Sequence, residues 1–330
     1  MWSKKNTEVG KCDEEGSREK IIKLIKKGRM NELEKLLSRK DGRLDLSGFS
    51  FSNANRVADR FSFKDMEFQL TNKPAFKGQT MRSFDFTESD FTSTVWEHMV
   101  FEDCLFNRTT LWDVIFTGCD FVDSKFKDCT IENTLLGGSD KHNLGSFVNT
   151  TFSGGVIRES HFSFPRFENC LFDCNVENLN FFGSQFSNCM FMGKLKDVSF
   201  RGKPRPRQVN KDLQKIKLPE NRMINVDFSE AWFDGVNFTH GLDLSKITLP
   251  KKNRLIFIRD GPKVMARALQ IVEQQWSGEE RRLGVGVIKN MSHLFENGQI
   301  QLVRNMDDDS ELFGEPFAQK LAALIDDLNR

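Results

Sequence analysis

Residues 101–130 read FEDCLFNRTTLWDVIFTGCDFVDSKFKDCT, and an apolar residue returns at every fifth position of this stretch. The same register extends in both directions, and its members are Phe86, Phe91, Trp96, Phe101, Phe106, Leu111, Phe116, Phe121, Phe126, Ile131 and Leu136. A helix repeats its faces every 3.6 residues and a strand every two, so neither element explains a period of five. Short extended segments joined by turns do explain it. The sequence therefore predicts stacked coils of short β-strands around an apolar axis.

A second inward position lies two residues before each of these apolar residues. It carries no charge and is mostly small, as at Cys104, Cys119 and Cys129. We interpret these residues as compact fillers beside the large axial side chains. Shifted copies of the pattern run from Phe147 to Phe191 and from Phe228 to Phe238. The residues between them are mainly polar, as expected for flanks that face water.

Composition narrows the class of protein. The chain has 330 residues, with 48 Lys plus Arg against 47 Asp plus Glu, so no basic excess indicates nucleic-acid binding. No membrane span or secretory signal is visible, which favours a cytoplasmic protein. The chain has 32 Phe and no Tyr, which indicates aromatic side chains that fill an apolar interior without hydroxyl groups. Seven Cys then favour free thiols in a reducing compartment.

The five-residue unit resembles that of the pentapeptide-repeat family. Segments 104–108 (CLFNR) and 119–123 (CDFVD) show its pattern of a small residue, a polar residue, a central Leu or Phe and two polar residues. The resemblance covers roughly residues 44–249. It implies a right-handed parallel β-helix with four sides and twenty residues per coil, so that residues n and n+20 stack. Phe86, Phe106 and Phe126 then form one ladder. The other axial residues singled out are Phe91, Leu111, Ile131, Phe116 and Phe121.

The two ends of the chain lack the repeat. Residues 1–43 predict a helical segment that caps the solenoid, and residues 250–330 predict an α-helical region. Within that region, the acidic run 307–309 is expected to be a solvated linker. The predicted architecture is therefore a mainly β solenoid flanked by α-helical segments.

Two interruptions break the repeat. Residues 137–145 predict a short external loop, and residues 201–222 a longer insertion rich in Lys, Arg and Pro. Its cations are Arg201, Lys203, Arg205, Arg207, Lys211, Lys215, Lys217 and Arg222, against Asp212 and Glu220. One interpretation is a basic arm that contacts an anionic partner; the other is a solvated charged loop.

Two outward columns are further candidates for partner binding. Val95, Ile115 and Leu135 form an apolar stripe that must be covered, either by a terminal helix or by a partner. Asp103 and Asp123 stack with no cation expected between them.

Catalytic and metal-binding motifs are not apparent. None of the five His lies in a nucleophile, zinc-protease or kinase motif, and the 284–286 stretch GVG lacks the third glycine of a dinucleotide loop. The sequence therefore predicts no catalytic residue, no metal and no cofactor, and favours a protein that is not an enzyme.

The functional hypothesis is a non-catalytic scaffold for a protein partner of unknown identity. An alternative follows from the family resemblance, since the quinolone-resistance members mimic DNA and bind type II topoisomerases. Residues 81–200 hold 9 Lys plus Arg and 17 Asp plus Glu, a balance of −8 that suits such mimicry. The basic insertion and the interrupted acidic columns count against it. A bacterial effector is a third alternative, and a homodimer is compatible with the resemblance.

Overall fold

The computed structural model describes residues 15–52, 75–137, 143–204 and 218–330. Short parallel strands wind into stacked coils, with helices at both ends, which confirms the predicted β-helix architecture. The N-terminal elements are α1 (Glu15–Lys26), α2 (Met30–Leu36), β1 (Arg39–Lys40) and β2 (Arg43–Asp45). The five-residue spacing also appears between Phe63 and Phe68, but these two residues lie outside the described ones.

The coils are built from three-residue strands for most of their length. The lower coils contain β3 (Ala75–Lys77), β4 (Thr80–Arg82), β5 (Phe84–Asp85), β6 (Val95–Glu97), β7 (Val100–Glu102), β8 (Leu105–Asn107), β9 (Thr110–Trp112), β10 (Ile115–Thr117), β11 (Asp120–Val122), β12 (Lys125–Lys127), β13 (Thr130–Glu132) and β14 (Leu135–Gly137). The upper coils contain β15 (Ser146–Val148), β16 (Thr151–Arg158), β17 (His161–Ser163), β18 (Arg166–Glu168), β19 (Leu171–Phe182), β20 (Gln185–Ser187), β21 (Met190–Phe191), β22 (Lys194–Arg201), β23 (Val226–Asp227), β24 (Trp232–Asp234), β25 (Asn237–Thr239) and β26 (Ile247–Thr248).

The region after the coils is mostly helical. It contains β27 (Leu255–Ile258), α3 (Gly261–Gln275), α4 (Gly278–Ser292), β28 (Leu302–Asn305), α5 (Met306–Phe313) and α6 (Glu315–Leu328). Strands β27 and β28 pair antiparallel. The helices pack around an apolar cluster of their own, which includes Val264, Ile288 and Leu321.

The register of the coils follows the twenty-residue rule through the uninterrupted run. Phe106 of β8 pairs with Phe126 of β12, and their ring centroids are 4.6 Å apart. The rings of Phe86 and Phe106 are stacked at 4.9 Å. These separations match the 4.7–4.9 Å spacing of hydrogen-bonded strands.

Interruptions of the repeat appear as changes in coil length. Phe126 pairs with Phe152, so that coil takes 26 residues (126 to 152). Phe162 pairs with Phe181, which gives 19 residues (162 to 181). Phe200 pairs with Phe238, so 38 residues (200 to 238) separate partners across the basic insertion. The axial column therefore continues across each change in coil length.

The small inward residues do more than fill space, which the sequence analysis missed. The Thr134 hydroxyl donates to the Leu111 carbonyl at 2.8 Å, and the Cys129 thiol contacts the Phe106 carbonyl at 3.3 Å. Ser124 and Cys104 make the equivalent contact with the coil below them. A thiol or hydroxyl at this position thus gives a buried carbonyl a partner.

One corner of the β-helix carries a ladder of side-chain amides. Asn169 donates to Asn149 at 3.1 Å, Asn188 donates to Asn169 at 3.2 Å, and Asn225 donates to Asn188 at 3.1 Å. These residues have φ values of 52–54°, in the left-handed region that Asn tolerates better than most residues. The corner therefore combines a tight turn with hydrogen bonds between coils.

The N-terminal helices close one end of the axial core. Ile21, Ile25 and Leu33 are buried in the same apolar cluster as the coil residues. Arg18 of α1 donates from its Nε to the Ser50 carbonyl at 2.8 Å. These contacts attach the N-terminal helices to the first coils.

Side-chain amides hold the C-terminal region against the last coil. Asn253 accepts from the Phe233 amide at 2.7 Å and donates to the Phe233 carbonyl at 2.9 Å. Gln299 accepts from the Leu242 amide at 2.9 Å and donates to the Leu242 carbonyl at 3.0 Å. The two amides occupy hydrogen-bonding positions that a further coil would fill, and they cover an edge open to strand addition.

The expectation of a solvated linker at 307–309 was wrong. These residues form the first turn of α5, and Asp309 is buried and bonded to Arg304. Asp308 accepts from the Gly235 amide at 3.2 Å. The acidic run therefore joins α5 to the β-helix. The local sequence does not reveal this contact, because Asp308 and Gly235 are 73 residues apart.

Replacing an axial ring tests the packing of the coils. Phe126→Ala leaves a cavity between the stacked rings of Phe106 and Phe152, and should lower the free energy of unfolding by about 3–5 kcal/mol. The neighbouring side chain of Lys127 is exposed, so Lys127→Ala should change it by no more than about 0.5 kcal/mol. Denaturant unfolding of both variants measures the difference; equal losses would contradict the packing.

The buried hydroxyl contact has its own test. Thr134→Val keeps the side-chain shape but removes the donor to the Leu111 carbonyl, and should cost about 1–3 kcal/mol. Thr130→Val, at an exposed position of the preceding strand β13, should stay within about 0.5 kcal/mol of wild type. Matching stabilities of the two variants in denaturant unfolding would show that the hydroxyl contact contributes little.

The C-terminal region also predicts a pH dependence. Hydrogen bonds from Arg254, then from Ser310 and Gln319, lower the pKa of Glu315 from 4.5 to about 2. A carboxylate with a depressed folded-state pKa stabilises above its unfolded pKa, and this stabilisation is lost as pH falls through the folded value. The melting temperature of wild type should therefore fall more steeply than that of Arg254→Gln between pH of about 4.5 and 2. If the melting temperatures of the two proteins fall equally with pH over that range, the Arg254–Glu315 pair does not contribute to stability.

Candidate partner-binding face

The predicted axial residues lie inside the coil. Each of them is at most 2% exposed, and the set comprises Phe86, Phe91, Phe106, Leu111, Phe116, Phe121, Phe126 and Ile131. They hold the scaffold together and present almost no surface to a ligand.

The apolar stripe is also buried. Val95, Ile115 and Leu135 lie side by side in register and are 3%, 3% and 8% exposed. They form a small cluster separate from the axial core. Because the chain itself covers them, these side chains offer a partner almost no area.

Asp103 has a cation partner that comes from β2, outside the Asp103–Asp123 column considered in the sequence. The Arg43 guanidinium forms an ion pair with it, and the Ser83 hydroxyl donates to it at 2.8 Å. Burial favours the neutral carboxyl, but these hydrogen bonds outweigh it and hold the pKa of Asp103 below its usual value. Asp123 instead accepts from Asn149 at 2.9 Å, so it joins the amide ladder.

Four carboxylates of the lower coils have cation partners. Ion pairs between adjacent coils join Lys77 to Glu97, Arg82 to Glu102, Arg108 to Glu88 and Arg158 to Glu132, with N–O distances of 2.6–2.9 Å. A continuous negative surface does not result, because each of these carboxylates has a cation one coil away.

The basic insertion is only partly described. Arg205, Arg207, Lys211, Lys215 and Lys217 lie outside the described residues. The Arg201 guanidinium lies 5.5 Å from the centroid of the Phe182 ring, a cation–π distance. Lys203 lies 3.7 Å from Glu220, a weak surface ion pair.

The two interruptions meet on one side of the β-helix. Phe164 and Phe182 lie off the axial register and point outward, with ring centroids 5.1 Å apart. Leu144, at the end of the first loop, and Leu218, in the basic insertion, pack against this pair. We call this surface the insertion face. Phe residues outside the five-residue register were the available sequence signal for it.

A cleft of about 580 Å³ opens beside the insertion face. Its lining residues are Arg166, Gln185, Phe186, Ser187, Leu218, Pro219, Glu220, Arg222 and Ile224. Strand β20 is the last strand of a six-stranded sheet, and above it only an isolated bridge joins Ser187 to Ile224. The cleft therefore lies where the insertion replaces the next strand of that sheet.

The buried thiols of Cys104 and Cys129 are poorly suited to nucleophilic chemistry. Burial raises the pKa of Cys104 to about 12 and that of Cys129 to about 11, so little thiolate exists at neutral pH. Cys170 and Cys189 are free thiols stacked in adjacent coils, and their mutual hydrogen bond and burial raise the pKa of Cys170. Within the described ranges, no cluster of His, Cys, Asp and Glu is arranged to hold a metal ion.

None of the helices in the described part of the chain combines the length and apolar character needed to cross a membrane.

Comparison with known proteins agrees with the coil geometry. Residues 85–123 match the family model for pentapeptide repeats, with eight copies. The part of the β-helix between β5 and β11 is therefore built from pentapeptide repeats.

Solved structures similar to the chain include two pentapeptide proteins. Full-length QnrB1, a plasmid-mediated fluoroquinolone resistance protein, is 16% identical over 63% of this chain and 92% of its own, with a TM-score of 0.20. HetL, involved in heterocyst differentiation regulation in the cyanobacterium Nostoc sp. strain PCC 7120, is 8% identical over 68% of this chain and 97% of its own, with a TM-score of 0.23. A search of curated proteins found no significant match.

Proposed function

We propose that the protein is a non-catalytic scaffold that binds a protein partner on the insertion face. The convergence of Leu144 and Leu218 on the outward Phe164–Phe182 pair carries this proposal, because it brings the described ends of both departures from the repeat to one side of the β-helix. The two rings are themselves covered, at 3% and 8% exposed, so the partner contacts the exposed groups around them, such as those of the cleft. Loops carried by a rigid solenoid are common sites of binding. The raised thiol pKa values support the non-catalytic part of the proposal.

The scaffold supplies a preformed surface. The stacked coils keep the lining of the cleft in place before binding, so a partner meets groups that need little ordering. We propose that residues 1–43 act as a cap, residues 44–249 as the binding body and residues 250–330 as a helical region that closes the other end. The buried N-terminal helix contacts and the amides of Asn253 and Gln299 support this division.

A matched pair of substitutions tests the location of the binding surface. Ile224 borders the cleft and Met192 lies on β-helix surface away from the cleft lining, and each is 37% exposed. Affinity purification from extract of the source organism, with quantitative mass spectrometry, should recover a partner with wild type and with Met192→Asp. Recovery should fall at least about tenfold with Ile224→Asp, because a carboxylate then enters the apolar wall.

Thermal melts of both variants give the control for folding. Equal recovery with the two variants would place the partner elsewhere on the chain. Failure of every form to retain a specific partner would contradict the scaffold function itself.

A second candidate is DNA mimicry toward a type II topoisomerase, favoured by the −8 balance of residues 81–200. The ion pairs between coils oppose it, since they reduce the field that a mimic of duplex DNA requires. A gyrase supercoiling assay with and without a quinolone separates the candidates. The scaffold proposal expects neither inhibition nor protection, and either effect would favour mimicry.

A further inference from the structure

We infer that the cleft recognises a carboxylate on an extended, partly apolar peptide segment of the partner. This inference rests on the proposed scaffold function and names the chemistry that the cleft selects. Its lining combines two guanidinium groups with amide, hydroxyl and aliphatic groups, within a volume typical of ligand-binding pockets.

The two arginines supply the anion-binding groups. Arg166 and Arg222 are both exposed. Arg166 forms an ion pair with Glu168 on the same strand, and an exposed pair of this kind contributes little and exchanges with an incoming carboxylate. A guanidinium binds a carboxylate through two parallel N–H donors, which makes the contact both directional and strong.

The walls of the cleft suit a peptide. Gln185 and Ser187 offer hydrogen-bonding groups on the β-helix side. Leu218, Pro219 and Ile224 form an apolar side, of which Ile224 keeps 37% of its surface exposed. A segment that alternates acidic and aliphatic side chains satisfies both walls when extended, because successive side chains of an extended chain point to opposite sides.

Addition of a peptide strand to the edge of the sheet does not fit the site. The Phe186 carbonyl already accepts from the Ile224 amide at 3.1 Å, and the Phe186 amide donates to the Asn221 side chain at 3.3 Å. The Asn188 amide donates to the Ile224 carbonyl at 2.8 Å. Since these main-chain groups are occupied, recognition falls to side chains.

Carboxylates at the cleft disfavour a polyanion. Glu220 lines the cleft and Glu168 stands beside Arg166. A single carboxylate can replace Glu168 on the guanidinium, whereas a run of phosphates would be brought close to both acidic groups. The two guanidinium groups of the lining, Arg166 and Arg222, nevertheless attract an acidic segment toward the cleft.

Fluorescence anisotropy with the full chain tests the inference. The probe is a fluorescein-labelled hexapeptide of alternating glutamate and valine, and its counterpart carries glutamine in place of glutamate. The glutamate peptide should bind at least about tenfold more tightly, and Arg166→Gln and Arg222→Gln should each weaken it about tenfold. Arg82→Gln, which removes another exposed arginine paired to a glutamate, should leave its affinity unchanged.

Three results would overturn the assignment. They are equal affinity for the two peptides, unchanged affinity in both cleft variants, or tighter binding of inorganic tripolyphosphate than of the glutamate peptide at the same sites. If a partner is still recovered with wild type and lost with Ile224→Asp, such a result contradicts carboxylate recognition but leaves the scaffold function standing. If no partner is recovered at all, the scaffold function fails with it.

Discussion

The structure depends on the match between the rise of a β-coil and the centroid separation of aromatic rings in an offset stack. Hydrogen-bonded strands are separated by 4.7–4.9 Å, and rings in parallel stacks along the axis, such as Phe121–Phe147 and Phe167–Phe186, have centroids 4.8 Å apart. Main-chain hydrogen bonds and axial packing therefore favour the same spacing. A single coil cannot bury its apolar side chains alone, and each coil added to the stack buries those of its neighbour.

This constraint fixes the spacing of the axial side chains, whereas the number of residues in a coil can vary. A coil can gain six residues, lose one or carry the basic insertion while Phe126 still meets Phe152 and Phe200 still meets Phe238. Leu144 and Leu218, at the described ends of two of these interruptions, pack against the same pair of outward rings. The insertion face is thus a product of departures from the repeat, held in place by the regular coils around it.

The sequence was sufficient to predict the axial residues because the signal is periodic and local. Every fifth residue from Phe86 to Leu136 points to the same interior. It was also sufficient to predict both interruptions, since each shifts the register. A distant contact leaves no such signal: Arg43 reaches Asp103 across 60 residues, and Gln299 reaches Leu242 across 57. The cleft was missed for the same reason, because its walls come from strands and an insertion that meet only after folding.

A double-mutant cycle between Phe106 and Phe126 tests the central role of ring stacking most directly. Leucine at one or both positions keeps an apolar core but removes the aromatic contact at 4.6 Å. The measured quantity is the coupling free energy from denaturant unfolding, predicted to be about 0.5–1.5 kcal/mol. The same substitutions at Phe86 and Phe152, which are not adjacent in the ladder, should add within about 0.3–0.5 kcal/mol. Additive losses at Phe106 and Phe126 would contradict the account.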